Sequence, residues 1–183
     1  MNRQEPISRN AWLRRRILLC LNAFLFGMVL TTFLMIKMDV QIYPENKILG
    51  ASMAPNVTKQ TPLIAISPAY HPIKRHDVVS VRTTYNGKPT TSGISYVKRV
   101  IGMPNETIRL QGHEIFVDGV KLDDPFGEYS RASFDNLEVR LENNEYFLMG
   151  DNRSNSQDSR HFGPFLYENI NWVAIRIFSP KRD

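Results

Sequence analysis

The 183-residue chain has one cysteine, Cys20. It lies inside an apolar run, so the chain can close no disulfide within itself and offers no cysteine metal cluster. Histidine is scarce as well. His71, His76, His113 and His161 have neither HExxH spacing nor a cysteine partner, which leaves zinc without a pattern. Net charge is nearly absent outside one short segment. Residues 1–16 carry Arg3, Arg9, Arg14, Arg15 and Arg16 against Glu5, or +4 of the chain's +5, so +1 remains for everything after them. A basic tail on a near-neutral domain is not a basic groove, and nucleic acid is not an expected partner. The apolar content of 42% is that of a globular chain and excludes disorder throughout.

The next segment explains the tail. Ile17 to Ile36 reads ILLCLNAFLFGMVLTTFLMI, without a charge. At ~1.5 Å per residue its helix reaches about 30 Å, the thickness of a bilayer's hydrocarbon core. Arginines precede it, and Lys37 and Asp39 come after it. The positive-inside rule therefore predicts a cytoplasmic tail over 1–16, a transmembrane anchor over 17–36 and an exported domain over 37–183. A cleaved signal peptide would have a shorter apolar region and a small-x-small cleavage site; Thr31 to Asp39 offers none, so an uncleaved anchor in the cytoplasmic membrane is expected.

Beyond Asp39 no long helical period appears. Short β-rich runs occur at Leu63–Ile66, Val78–Arg82, Tyr96–Ile101, Thr107–Leu110, Glu114–Val117, Glu138–Leu141, Tyr146–Leu148 and Trp172–Phe178. Gly, Pro, Asn and Asp separate most of them, which predicts a mainly β, antiparallel domain. Asp118–Gly119, between Glu114–Val117 and Val120–Leu122, is the clearest hairpin turn, because its residues tolerate positive φ. Residues 123–136, DDPFGEYSRASFDN, read as a plain surface loop.

Three short segments stand out from that background. The first is Gly50-Ala51-Ser52-Met53-Ala54-Pro55, a serine among small residues ahead of a proline. The second is Tyr96-Val97-Lys98-Arg99-Val100-Ile101, a strand interrupted by a lysine; alternation puts Lys98 on one face with Tyr96 and Val100, and Arg99 on the other. Taken alone, that lysine could simply be exposed. The third is Gly150 to Phe165, GDNRSNSQDSRHFGPF, dense in polar side chains. As a calcium loop beginning at Asp151 it would put Arg153 at a ligand position and Phe162 where a bidentate Glu belongs, so calcium is not supported.

Together these segments resemble the type I signal peptidases, membrane-anchored serine proteases with a Ser/Lys dyad. The serine box S-M-x-P matches Ser52 to Pro55, the lysine box matches YVKRVIGMP from Tyr96 to Pro104, and the last box G-D-N-R-x-N-S-x-D-S-R matches Gly150 to Arg160. His76-Asp77-Val78-Val79 fits the G-D-[IV]-V box with His76 in place of the glycine. The resemblance implies Ser52 as nucleophile and Lys98 as general base, with Ser156 hydrogen-bonded to the lysine amine and Asp158 and Arg160 as a supporting ion pair. It implies the Ser52 N–H as one oxyanion donor. The second donor, a serine hydroxyl in some members, falls on Gly50, which has no side chain to offer.

Met53, Tyr96 and Val97 are implied as pocket residues for small side chains of the Ala-x-Ala type. The strand leading to Gly50 and Ser95–Val97 are implied as the edges that hold an extended substrate. Partners would be the bilayer and membrane-tethered preproteins, with no cofactor and no metal. A lysine can act as base only when neutral, and burial lowers its pKa. A Ser/His/Asp triad using His161 or His76 is a rival without a pattern behind it. Two other readings are a dedicated relative, such as a pilin-processing peptidase of conjugal transfer, and a catalytically silent, membrane-anchored β module.

Overall fold

The computed structural model describes residues 9–43, 50–82, 84–85, 88–89, 95–127 and 134–178. The chain divides into two compact units at Asp39. The first is a single helix, Arg9–Lys37. Its stretch Trp12–Lys37 is long and apolar enough to cross a membrane, with a mean hydropathy of 2.3 over an 18-residue window. The two threonines in it do not leave their hydroxyls bare: Thr31 and Thr32 donate to the carbonyls of Gly27 and Met28, one turn back, at 2.7 and 2.9 Å. The helix begins well before the predicted span at Ile17 because arginine is a good helix former. Hydropathy marks where the apolar run begins, not where helical hydrogen bonding begins. Arg16 lies over the Trp12 ring at 3.9 Å within this extension. Residues 1–8 of the predicted tail lie outside the described residues.

The second unit is built on antiparallel sheets. The larger has seven strands in the order Gln41–Tyr43, Leu63–Ile66, Ile170–Ile177, Val78–Arg82, Ser95–Gly102, Glu145–Met149 and Phe165–Leu166. The smaller has four, in the order Phe134–Arg140, Thr107–Gly112, Glu114–Val117 and Val120–Lys121. A two-stranded ribbon joins Thr84–Tyr85 to Lys88–Pro89. Each predicted run coincides with a strand; Leu141 and Phe178 fall just past the ends of theirs, and several strands extend beyond the run. The Asp118–Gly119 turn has positive φ at both residues, 49° and 81°, as the hairpin requires.

Alternation sorts the core. Val79, Val81, Val100, Tyr146 and Leu148 point to one face of the large sheet and pack with Phe165, Ile170 and Val173. Ile101, Phe147 and Met149 point to the other and join Ile108, Leu110, Ile115 and Leu141. A third cluster gathers Met53, Val57, Leu63, Ala65, Val78 and Trp172. The strand Ser95–Gly102 thus has core on both sides, and its successive residues serve different clusters.

The reading of 123–136 as a plain surface loop needs correcting. Phe134, Asp135 and Asn136 belong to a strand, and 128–133 lie outside the described residues. Asp124 and Gly127 pack against the polar segment that begins at Gly150. Asp124 pairs with the buried Arg153, and a Cβ on Gly127 would meet the Arg153 guanidinium at 2.5–2.8 Å.

Candidate active site

The strand Ser95–Gly102 pairs with Val78–Arg82 from Ser95 to Arg99, but with Glu145–Met149 only from Arg99 to Gly102. Among the described residues, Ser95 to Lys98 therefore have one edge without a strand partner. The sheet gives way there to Gly150 and the polar segment. Tyr96 and Val97 are half-buried beside this edge, and Lys98 is only 1% exposed.

Lys98 sits where its face of the sheet meets the serine turn. Its Nζ lies 2.8 Å from Ser52 Oγ and 5.2 Å from the centre of the Tyr96 ring. Burial pushes its pKa down to about 8; Asp158 and Asp151 pull upward, and Arg160 adds to the lowering. Removing an ammonium from water favours the neutral amine unless a carboxylate faces it directly. Both of those carboxylates are themselves engaged by arginines.

The serine turn runs from Gly50 to Asn56 and contains a cis Ala54–Pro55 peptide. Gly50 has φ +100°, a conformation that favours glycine over any other residue at the position. Met53 is 2% exposed and packs in the third cluster, with Val97 against it, so it is core beneath the turn. Val57 N–H donates to the Met53 carbonyl at 2.9 Å. Among the described residues the Ser52 N–H finds no backbone acceptor. The predicted strand leading into Gly50 falls at 44–49, outside the described residues.

The polar segment grips that turn. Asn152 N–H donates to the Ser52 carbonyl at 2.9 Å and Asn152 Nδ2 to the Ala51 carbonyl at 3.3 Å. Asn56 Nδ2 donates to Asp151 Oδ2 at 2.9 Å and to the Phe126 carbonyl at 3.1 Å. Asp151 takes a fork from Arg99, Nε to Oδ1 at 2.7 Å and Nη2 to Oδ2 at 2.6 Å, with both side chains buried. Breaking such a buried pair from one side costs about 3–5 kcal/mol.

Asp158 and Arg160 form the expected ion pair, again as a fork: Nε to Oδ1 and Nη2 to Oδ2, each 2.8 Å. Burial pushes the Asp158 carboxyl up, but the Arg160 fork and the Gly150 N–H more than offset it, and the net pKa is lowered. Arg160 also donates to the carbonyls of Arg153 and Ser156.

Ser156 differs from expectation. Among the described residues its Oγ is buried without a hydrogen bond of good geometry, near the Asp158 carboxyl whose pKa it helps to lower, and the Lys98 amine bonds to Ser52 instead. A Cβ placed on Gly150 would collide with Ser156 Oγ and with the Ser52 carbonyl, so Ser156 and the Ser52 carbonyl face each other across that glycine. His161, the rival triad member, is exposed, and His76 lies on the Arg99 side of the strand with its backbone carbonyl accepting from Arg99 Nη1 at 2.8 Å.

Sequence reasoning missed Arg99, Asp151, Asn56 and Phe126 as parts of the site. Arg99 and Asp151 stood inside the matched boxes, but their pairing spans 52 residues and no local spacing announces it.

The family described as signal peptidase, peptidase S26, matches residues 14–178. Signal peptidase I V of Bacillus subtilis (strain 168) is 32% identical over 162 residues, 80% of this chain and 92% of that protein. Signal peptidase I S of the same organism is 37% identical over 98 residues, 48% of this chain and 53% of that protein, so this second alignment spans about half of the relative's length. A crystal structure of a signal peptidase I from Enterococcus faecalis V583 aligns at 22% identity with a TM-score of 0.46, over 55% of this chain and 95% of that one.

Proposed function

The chain belongs to the signal peptidase family, peptidase S26, and from that premise we propose that it is a membrane-anchored serine endopeptidase that removes signal peptides with a Ser52/Lys98 dyad. One observation carries the reading: a lysine 1% exposed, with its amine 2.8 Å from a serine hydroxyl at the end of an open strand edge. A serine hydroxyl needs an adjacent base, and a desolvated lysine is one.

Ser52 Oγ attacks the scissile carbonyl while its proton passes to the neutral Lys98 amine. The resulting ammonium gives that proton to the departing amine as the peptide bond breaks, leaving an acyl-enzyme on Ser52. Water, losing a proton to the regenerated amine, then releases the acyl group. The Ser52 N–H is one donor to the oxyanion; Gly50 contributes no side chain, so a second donor must come from elsewhere. Such a donor is worth about 3–4 kcal/mol of transition-state stabilisation. Ser156, buried beside the Ser52 carbonyl, fits the role of a hydroxyl that orients the lysine amine once Ser52 Oγ has bonded to the substrate carbonyl.

The substrate is an exported preprotein, its signal peptide extended against the free edge of Ser95–Val97. Tyr96 and Val97 border the pockets for small side chains of the Ala-x-Ala type, with Met53 as their floor. The basic N-terminal tail stays in the cytoplasm, the helix crosses the cytoplasmic membrane, and the domain from residue 37 onward works on the far side. Anchoring enzyme and substrate in one bilayer raises their effective concentration. The range of preproteins is general on this reading, since the last box is complete; a dedicated relative would process one.

The test uses the full chain in lipid vesicles and a preprotein with an Ala-x-Ala site. The intact chain should cleave it; Ser52→Ala and Lys98→Ala should not, while keeping the far-UV signature of the sheets. Normal cleavage by either variant removes the dyad. Depletion in the host followed by a census of unprocessed precursors separates a general enzyme, with many, from a dedicated one.

A further inference from the structure

The residue at position 76 sits at φ 71°, a backbone conformation that favours glycine, and yet it is histidine. Its side chain has a use. The His76 ring meets the Phe126 ring edge to face, with centroids 5.4 Å apart and an interplanar angle of 64°. The Phe126 ring in turn carries the Arg99 guanidinium, Cζ 3.7 Å from the ring centroid. Such a ring is a favourable platform for a desolvated cation. His76 also closes on Arg99 through its own backbone, the carbonyl accepting from Nη1 at 2.8 Å, and its N–H is tied to the Val100 carbonyl at 2.8 Å.

We infer that His76 and Phe126 are positioning residues for Ser52, acting through the ring and carbonyl contacts that fix the Arg99 guanidinium. The contacts form a closed circuit. Phe126 covers Arg99, Arg99 forks onto Asp151, Asp151 accepts from Asn56, and Asn56 returns to the Phe126 carbonyl at 3.1 Å. Two exits from the circuit reach the nucleophile. Asn56 is in the same turn as Ser52, and Asn152, next to Asp151, donates from its N–H to the Ser52 carbonyl at 2.9 Å. Asp124 anchors the segment that carries Phe126 by pairing with buried Arg153, whose Nε donates to the Gly150 carbonyl at 2.9 Å. A ring that merely filled space would touch apolar neighbours. This one touches the cation that orients Asp151, and its own carbonyl holds the serine turn.

The inference rests on Ser52 and Lys98 as nucleophile and base, so Ser52→Ala is measured beside it. The experiment compares His76→Gly, Phe126→Leu and Phe126→Tyr in the full chain in vesicles, reading kcat and KM on an Ala-x-Ala preprotein together with the melting temperature. His76→Gly suits the backbone at that position and should fold at least as well as the parent. It should nevertheless lose kcat by about fivefold or more, since small displacements of a catalytic group cost rate steeply, while KM stays within about twofold. Phe126→Leu keeps apolar volume without the ring face and should show the same split; Phe126→Tyr restores the ring and should restore kcat. Parental kcat in His76→Gly or in folded Phe126→Leu, a loss confined to KM, or no rescue by Phe126→Tyr overturns the inference while Ser52→Ala remains inactive. An active Ser52→Ala overturns the dyad reading and this inference with it.

Discussion

Lys98 Nζ lies 2.8 Å from Ser52 Oγ, and among the described residues Lys98 forms no ion pair. Asp158 is the strongest influence that would keep the amine charged, and Arg160 is forked onto it at 2.8 Å. Arg160 therefore does two things at once: it neutralises Asp158 and adds its own positive field. The polar segment is built so that a buried lysine is not offered an unshared carboxylate.

The activity should follow the neutral fraction of Lys98. With a pKa of about 8, roughly a tenth of the amine is neutral at pH 7, so kcat/KM should climb about tenfold per pH unit below that value and level off above it. Initial rates across about pH 5.5 to 9.5 bracket that midpoint and check this. A limb rising only near the value of an exposed lysine, about 10.4, would contradict it.

Replacing Asp158 by asparagine should separate stability from protonation. The change leaves Arg160 without its carboxylate and should cost about 3 kcal/mol by denaturant unfolding. It also removes the charge that raises the Lys98 pKa, so the rate limb should move to lower pH. The parent's Asp158 has a lowered pKa, so its contribution is present above the unfolded carboxyl value of about 3.9 and is lost as pH falls through the folded one. Asp158→Asn should lack that part of the acid sensitivity.

Gly150→Ala should impair the site more than it unfolds the sheets. The added Cβ would stand 2.5 Å from the Ser52 carbonyl, a backbone atom that cannot swing aside, and would also strike the Ser156 hydroxyl. The serine turn must shift, and kcat should fall by at least about tenfold. Adding Ser156→Ala removes the collision with Oγ but leaves those with the Ser156 Cβ at 2.6 Å and the Ser52 carbonyl, so it should not restore the rate. Full activity in the double variant would show that the Ser52 carbonyl is not held in place.

Much of the sheet was legible because strands declare themselves locally. Val78–Arg82, Leu63–Ile66 and the Asp118–Gly119 hairpin needed only β-rich runs and turn chemistry. Lys98 could be placed on the face of Tyr96 and Val100 by alternation, but alternation could not say whether that face was wet. Its burial depends on the serine turn arriving from 46 residues away. The same limit hid the Phe126 platform and the Asp124–Arg153 pair, which join a segment without periodicity to a distant loop. The resemblance implies Met53 as a pocket residue, but only the fold shows its side chain buried in the cluster with Trp172, beneath the serine turn. The motif match makes Ser156 a partner of the lysine, whereas in the fold the lysine amine meets Ser52 and the Ser156 hydroxyl is buried against Gly150.

The proposed dyad requires Lys98 to be a largely desolvated amine able to accept the Ser52 proton near neutral pH. A titration of the Lys98 Cε carbon-13 resonance, assigned by its loss in Lys98→Arg, measures this in the folded chain. The midpoint should fall at about 8, well separated from the exposed lysines. A Lys98 midpoint among those lysines, near about 10.4, would leave the amine protonated at neutral pH and contradict its role as the base.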